Sequence, residues 1–223
     1  MHRTKKEYGR RNYESKSLVP ESKHYIIYEG YKTESRYFNG LKMKREQVPM
    51  KSIVQICPLD RKQEYSGFSN PIHYKKPARE IVSGDYLNCK FDKKIDSVWI
   101  VIDRDESDKT REQISELIDL DNENKNINLV ISNPKFEFWL LLHFEESNSY
   151  KKSEIMDLDL NKELKNILPN GYNSSKLKIG SFIDGIELAV KNSKKYEDKN
   201  LNKLLDNVGT NLGALMEELF DFD

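Results

Sequence analysis

The stretch Ser97-Val98-Trp99-Ile100-Val101-Ile102-Asp103-Arg104-Asp105-Glu106 contains five consecutive apolar residues and then three carboxylates within four positions. The apolar run predicts a strand buried on both faces, as in a parallel sheet covered by helices. In open α/β folds, ligands bind in the crevice beyond the carboxyl ends of the strands. Asp103 and Asp105 are therefore candidate binding residues, although the same pattern also fits the cap of a following helix that faces water.

The chain has a modest hydrophobic content and no net charge. It has 223 residues, of which 37% are hydrophobic, and its 37 Lys and Arg balance 37 Asp and Glu. This length fits one domain with an elaboration, or two small domains. No apolar run approaches the roughly 18 residues of a membrane helix, and no secretory signal is recognisable, so a cytoplasmic protein without a membrane partner is expected. Cys57 and Cys89 lack the spacing of a zinc site or a disulfide framework.

The chain divides into three predicted parts: a basic arm over residues 1–22, an α/β domain over residues 23–145, and a helical extension over residues 146–223 that packs on the same core. The arm carries six Lys or Arg against three Glu, so it is a candidate nucleic-acid contact. Strands alternate with helices in the α/β domain, which predicts a parallel sheet. Predicted strands are Tyr25–Tyr28, Ser52–Cys57, Val98–Ile102 and Ile127–Ile131. One predicted helix begins at Thr33, and a second runs from Pro77 to about Leu87, after a loop over Leu59–Lys76. A third predicted helix spans Lys109–Asn124. The predicted helices of the extension are Ser153–Leu158, Lys162–Leu168, Gly180–Tyr196 and a last one that follows an N-cap at Thr210 and ends at Phe220.

The first predicted strand also ends in an acid, at Glu29-Gly30. If this strand and the Val98–Ile102 strand are parallel neighbours, Glu29 and Asp103 lie at the same edge of the sheet. Gly30 permits a tight turn and a close approach of the backbone to a ligand. A carboxylate in a solvated turn is the simpler alternative for Glu29.

The segment Ser132-Asn133-Pro134-Lys135-Phe136-Glu137-Phe138-Trp139-Leu140-Leu141-Leu142-His143-Phe144 predicts a largely buried helix, with Asn133 as N-cap and Pro134 as the first helical residue. Glu137 lies one turn into this apolar helix. A carboxylate there must be paired, hydrogen-bonded, protonated or bound to a metal, because an isolated buried charge is costly. Capping of the helix and a metal-site role both remain open for Glu137. His143 is expected to be a hydrogen-bonded core histidine rather than a metal ligand.

Four motifs together resemble the RloB-like family, bacterial anti-phage (abortive infection) proteins with a Toprim-like domain. They are Glu29-Gly30-Tyr31-Lys32-Thr33-Glu34, Ile102-Asp103-Arg104-Asp105-Glu106, the Ser132–Phe144 segment and Asn207-Val208-Gly209-Thr210-Asn211. The resemblance spans about Tyr25 to Leu219, and Tyr31 stands where the family usually carries Glu. It implies an α/β fold with a Toprim-like parallel sheet flanked by helices and a helical C-terminal extension.

The resemblance also implies a site. Toprim domains hold magnesium with a Glu after the first strand and an Asp-x-Asp after a later one, which carries over to Glu29, Asp103 and Asp105. Mg²⁺ or Mn²⁺ is the implied cofactor, with Asp103 and Asp105 as principal ligands and Glu29 as a ligand or general base. Glu137 is carried over as an active-site residue from the family's own motif. Lys32, Lys176 and Lys178 are candidates for a cation near the scissile phosphate.

The function implied is a metal-dependent nuclease in anti-phage defence that cleaves DNA or RNA, with tRNA among the candidate substrates. The alternative is a non-catalytic regulatory or binding subunit of a defence complex. A receiver-like phosphorylation domain ranks last, because its acids follow the opposite distribution between the strands. The sequence has no Walker loop, so any nucleotide hydrolysis requires a partner such as an ABC-type or AAA-type ATPase. Assembly into a homo-oligomer remains open.

Overall fold

The structure is a computed structural model that describes residues 22–28, 30, 32–43, 53–56, 71–86, 90–104 and 108–222. In these ranges an open sheet is covered by helices on both faces. The strands are β1 (Lys23–Tyr28), β2 (Ile53–Ile56), β3 (Ser97–Asp103), β4 (Ile127–Asn133) and β5 (Gly209–Thr210). The α-helices are α1 (Thr33–Met43), α2 (Lys75–Ser83), α3 (Asp108–Glu123), α4 (Phe136–Leu141), α5 (Leu160–Ile167), α6 (Gly180–Ile183), α7 (Ile186–Ser193), α8 (Leu201–Asp206) and α9 (Leu212–Leu219).

The sheet has the strand order β2-β1-β3-β4-β5. The first four strands run parallel, and β5 pairs antiparallel with β4. Tyr28 at the end of β1 is paired with Val101, and Asp103 at the end of β3 is paired with Ser132. The predicted α/β fold with a mostly parallel sheet is therefore confirmed. We call the side on which β1, β3 and β4 end the carboxyl edge.

Side chains of β3 alternate between two hydrophobic cores, as the two-residue period of a strand requires. Trp99 and Val101 belong to the core that contains α1 and α4, whereas Ile100 and Ile102 belong to the core that contains α2 and α3. Helices α5, α7 and α9 contribute Leu164, Val190, Leu215 and others to the first of these cores. Helices α5, α7 and α9 thus pack on the same face of the sheet as α1 and α4, whereas Leu205 of α8 belongs to the core of α2 and α3.

Helix α2 begins and ends earlier than predicted. It starts at Lys75, two residues before Pro77, because the missing N–H of proline is tolerated in a first helical turn. It stops at Ser83, because Gly84 takes the left-handed conformation, with φ of 85°, and donates its N–H to the carbonyls of Glu80 and Ile81. The predicted continuation to Leu87 is wrong.

The prediction of one helix over Gly180–Tyr196 is also wrong, because the structure has α6 and α7 separated at Asp184 and Gly185. A Cβ at Gly185 would lie 2.5 Å from the carbonyl oxygen of His143, so the chain passes that backbone at a point where only glycine fits. Ser153–Leu158 contains only a short 3₁₀ turn, Ile155–Asp157. Helix α9 has Asn211 rather than Thr210 at its N-cap, although Thr210 Oγ1 accepts from the N–H of Leu212.

Strand β5 and helix α8 were not predicted. Strand β5 is two residues long, and the side chain of Asn211 extends its pairing with β4. Asn211 Nδ2 donates to the Leu129 carbonyl at 2.8 Å, and its Oδ1 accepts from the N–H of Ile131 at 2.8 Å. The Asn207–Asn211 motif therefore closes the edge of the sheet.

Several predictions fall outside the described residues. These are the basic arm up to residue 21, both cysteines, and the loop of residues 59–76 as far as residue 70. None of the helices in the described ranges is long and apolar enough to cross a membrane.

Candidate functional site

The carboxyl edge contains a topological switch point between β1 and β3. From β1 the chain moves to β2 on one side, and it then crosses to β3 on the other side of β1. A crevice at such a point, beyond the ends of parallel strands, is the usual ligand position in an open α/β sheet. Asp103 is the last residue of β3, and the residue that follows β1 is Glu29. The strand arrangement on which the predicted pairing of Glu29 with Asp103 depended is thus present.

The structure describes only part of the predicted carboxylate set. Asp103 is half-buried. It follows Trp99 and Val101 at intervals of two residues in β3, so it lies with them on the α1 and α4 face of the sheet. Glu29 and Asp105 lie outside the described residues. Within the described ranges, no group of three His, Cys, Asp or Glu could hold a metal ion. The convergence of all three carboxylates stays a prediction.

Glu137 accepts hydrogen bonds from two hydroxyl groups at the same edge. Its Oε1 accepts from the Tyr172 hydroxyl at 2.7 Å and from Thr33 Oγ1 at 3.2 Å. The two hydroxyls are themselves 3.4 Å apart. Thr33 is the first residue of α1, Glu137 is in the first turn of α4, and Tyr172 is in the loop after α5. One carboxylate oxygen therefore joins three separate elements of the fold.

The predicted start of α4 is wrong. The helix begins at Phe136 after an N-cap at Lys135 that makes no side-chain capping bond, so Asn133 is not the N-cap and Pro134 is not helical. Asn133 is the last residue of β4, and its buried Nδ2 donates to the carbonyls of Leu204, Leu205 and Asn207. These carbonyls belong to the end of α8, where intrahelical partners are lacking. The Asn133 side chain thus binds the end of α8 to the carboxyl edge through hydrogen bonds.

The Tyr172 hydroxyl remains protonated in this environment. Burial raises the pKa of Tyr172, and the negative charge of Glu137 raises it further. A protonated hydroxyl beside a carboxylate acts as the hydrogen-bond donor. Among the described residues, none donates to Glu137 Oε2.

Glu34 supports the turn that follows β1. Its Oε1 accepts from the N–H of Gly30 at 3.1 Å, and its side chain occupies the space that a Cβ at Gly30 would need. The predicted close approach at Gly30 is therefore made to a carboxylate of the chain itself. This contact ties the start of α1 to the end of β1, where Glu29 stands in the sequence.

The three candidate lysines lie at different places. Lys32 is exposed in the turn before α1. Lys176 and Lys178 are exposed and line a cavity of about 330 Å³, and Tyr172 lines the same cavity. Tyr172 thus connects the cavity of Lys176 and Lys178 to Glu137.

His143 confirms the prediction of a core histidine. It is 3% exposed, and its Nε2 lies 3.0 Å from the Tyr37 hydroxyl while Nδ1 lies 3.0 Å from the Trp139 carbonyl. A proton on Nδ1 that is donated to this carbonyl leaves Nε2 to accept from Tyr37. Burial lowers the pKa of His143 to about 4. The ring is therefore neutral and structural.

Sequence reasoning missed Thr33 and Tyr172 as partners of Glu137. The sequence pattern identifies Thr33 only as a helix start and Tyr172 only as the residue after Gly171, in a turn that precedes Lys176. The available signal was an aromatic residue directly after Pro169-Asn170-Gly171 in a segment otherwise rich in Lys and Asn. Such a residue has an apolar ring and a polar tip, which suits the margin of a site.

Comparison with known families agrees with the motifs. The family model described as RloB-like protein matches residues 24–219, which covers all of β1 to α9 except its first residue. The chain belongs to the RloB-like family. No curated protein and no solved structure matches it. The site of this RloB-like protein must therefore be interpreted from its own geometry.

Proposed function

We propose that this RloB-like protein is a Mg²⁺- or Mn²⁺-dependent nuclease that cleaves phosphodiester bonds of DNA or RNA in bacterial anti-phage defence. The position of Asp103 carries the proposal. It ends a central parallel strand beside β1, at the switch point of the sheet. In the sequence, Glu29 follows β1 directly and Asp105 stands two positions after the last residue of β3, as in the motifs that resemble Toprim domains.

The donor set fits a hard divalent cation. Carboxylate oxygens at strand ends are typical ligands of Mg²⁺, which keeps several waters and is completed by substrate phosphates. Glu29, Asp103 and Asp105 would hold the ion. When bound, it would supply charge neutralisation at the scissile phosphate and an activated water.

Glu137 is proposed as an active-site residue that orients water or substrate. Its Oε1 is engaged by Tyr172 and Thr33, so the carboxylate is held in one orientation. Its Oε2 accepts from none of the described groups and is the oxygen proposed to act. Thr33 and Tyr172 are then positioning residues, because they act through Glu137.

The experiment that tests this proposal is a substrate panel. Purified protein is incubated with labelled tRNA, single-stranded RNA, plasmid and linear DNA, with Mg²⁺, with Mn²⁺ and with EDTA. We expect cleavage of at least one substrate with either metal and none with EDTA. Binding without cleavage under every condition would instead support the regulatory or binding subunit.

An ATPase partner is part of the same proposal. The sequence has no phosphate-binding Walker loop, so an ABC-type or AAA-type ATPase would have to supply nucleotide hydrolysis where the defence response needs it. The panel is therefore run on the chain alone, since cleavage by the chain alone assigns the nuclease activity to it.

A further inference from the structure

The cavity beside Tyr172 lies in the C-terminal extension, between the segment that follows α5 and helix α6. Its volume of about 330 Å³ is at the lower end of the range for small-molecule sites. Nothing in the metal-dependent chemistry proposed above uses this cavity. Tyr172 nevertheless belongs both to the lining of this cavity and to the cluster of Glu137, Thr33 and Tyr172, which we call the Glu137 cluster.

The charge of the cavity suits an anion. Lys176 and Lys178 line it, and neither amine forms an ion pair with any residue that the structure describes. No Asp or Glu is among the described residues that line it. The chain as a whole has no net charge, but these two lysines make the cavity locally positive, and a positive cavity attracts phosphate.

The rest of the lining suits a nucleobase. Tyr172 supplies aromatic surface and Asn170 supplies an exposed amide, while Phe182, which also lines the cavity, is a core residue that is 1% exposed. The apolar faces of a base stack on aromatic rings, and its polar edge forms hydrogen bonds with amide groups. Tyr172 is held in place because its hydroxyl is engaged by Glu137 and Thr33, so little ordering is required on binding.

We infer that this cavity binds one unpaired nucleotide of a single-stranded nucleic acid. Lys176 and Lys178 contact its phosphates, and its base lies against Tyr172. The inference rests on the proposed function, and it specifies a single-stranded rather than a duplex segment as the part of the substrate held beside Glu137. A duplex base is stacked on its neighbours and is not available to such a cavity.

The test measures binding by the full chain in EDTA, so that cleavage does not enter the readout. Fluorescence anisotropy is recorded with labelled single strands of about ten nucleotides, as DNA and as RNA of the same sequence, and with the matching duplexes. The variant is Lys176→Ala with Lys178→Ala. The matched control is Lys93→Ala with Lys94→Ala, which removes the same charge from two exposed lysines before the start of β3.

We expect the Lys176 and Lys178 double variant to bind single strands at least about tenfold more weakly. Each phosphate contact on a single strand contributes about 0.7 to the slope of log affinity against log salt, so this slope should fall by about 1.4. The Lys93 and Lys94 variant should match the wild type. Tyr172→Ala should weaken binding by about fivefold or more through lost stacking, whereas Tyr172→Phe, which keeps the ring, should bind normally.

Normal binding and an unchanged salt slope in the double variant would overturn the inference, and so would tighter binding of duplex than of single strands. Competition by inorganic phosphate as strong as that by a mononucleotide would also overturn it, because the base would then contribute nothing. The DNA and RNA arms identify the sugar that is preferred. Weakened binding without cleavage in the substrate panel would reject the nuclease and keep the cavity, whereas cleavage with normal binding by the double variant would do the reverse.

Discussion

The Tyr172 hydroxyl donates a 2.7 Å hydrogen bond to Glu137 Oε1 across 35 positions of sequence. This bond joins the loop after α5 to the first turn of α4, directly beside the first residue of α1. It therefore links the C-terminal extension to the edge of the sheet where Asp103 lies.

Tyr172→Phe removes the hydroxyl and keeps the ring. We expect a loss of about 1–3 kcal/mol in the free energy of unfolding, because the lost bond is made to a carboxylate. We also expect kcat for nucleic-acid cleavage to fall while KM stays near that of the wild type, because Glu137 loses a positioning contact. Urea denaturation and cleavage kinetics measure the two effects.

Tyr150→Phe is the matched control for Tyr172→Phe. The Tyr150 hydroxyl donates to Glu163 Oε2 at the same distance of 2.7 Å, on α5 and outside the Glu137 cluster. Its loss should lower stability without lowering kcat. Equal kcat values in the Tyr172 and Tyr150 variants would reduce the Tyr172 bond to a structural contact.

Glu137→Gln and Glu137→Leu separate the two roles of this residue. The glutamine oxygen still accepts from Tyr172 and Thr33, so its free energy of unfolding should stay within about 1 kcal/mol of the wild type. Leucine leaves both hydroxyls without their acceptor and should cost about 1–3 kcal/mol. Cleavage should be lost in both variants, because neither carries a second carboxylate oxygen. Full cleavage by the Gln variant would assign Glu137 a purely structural role.

Much of the fold could be predicted from the sequence, because the apolar run Val98–Ile102 and its neighbours have the length and β-branched content of buried strands. The Tyr172 contact could not, because a hydrogen bond between a loop and a distant helix leaves no periodic pattern. Asn133 was misassigned for a related reason. Its side chain is suited to capping a helix locally, but the end of α8 offers it three carbonyls that only the tertiary fold brings near.

Asn133→Asp distinguishes the observed role of Asn133 from the predicted cap. An aspartate is as good an N-cap as an asparagine, so a capping residue would tolerate the change. In the structure the change replaces a donor with a carboxylate that faces three carbonyl oxygens, so we expect a loss of more than about 3 kcal/mol. Asn133→Ala should cost less, about 1–3 kcal/mol. Chemical denaturation at neutral pH gives both values, and an Asp variant as stable as the wild type would contradict the fastening of α8.

His143 makes stability depend on pH. Its pKa falls from about 6.5 in the unfolded chain to about 4 in the folded protein, so below pH 6.5 the unfolded state binds the additional proton. Stability from this residue is thus complete above pH 6.5 and is lost as the pH falls towards 4, at up to about 1.4 kcal/mol per pH unit. Unfolding is measured at several pH values for the wild type and for His143→Gln, which does not titrate. Parallel curves for the two proteins would contradict a neutral buried ring.

The decisive measurement is metal-dependent cleavage by Asp103→Asn, compared with Asp119→Asn, which removes the same charge from an exposed position on α3. Asparagine keeps the shape of the side chain but not the charge that a divalent cation requires. We expect Asp103→Asn to unfold like the wild type in the absence of metal, to cleave none of the nucleic acids, and to lose protection in a phage plaque assay. Asp119→Asn should retain both activities. Cleavage and protection at wild-type levels by Asp103→Asn would contradict a metal-dependent nuclease centred on the carboxyl edge.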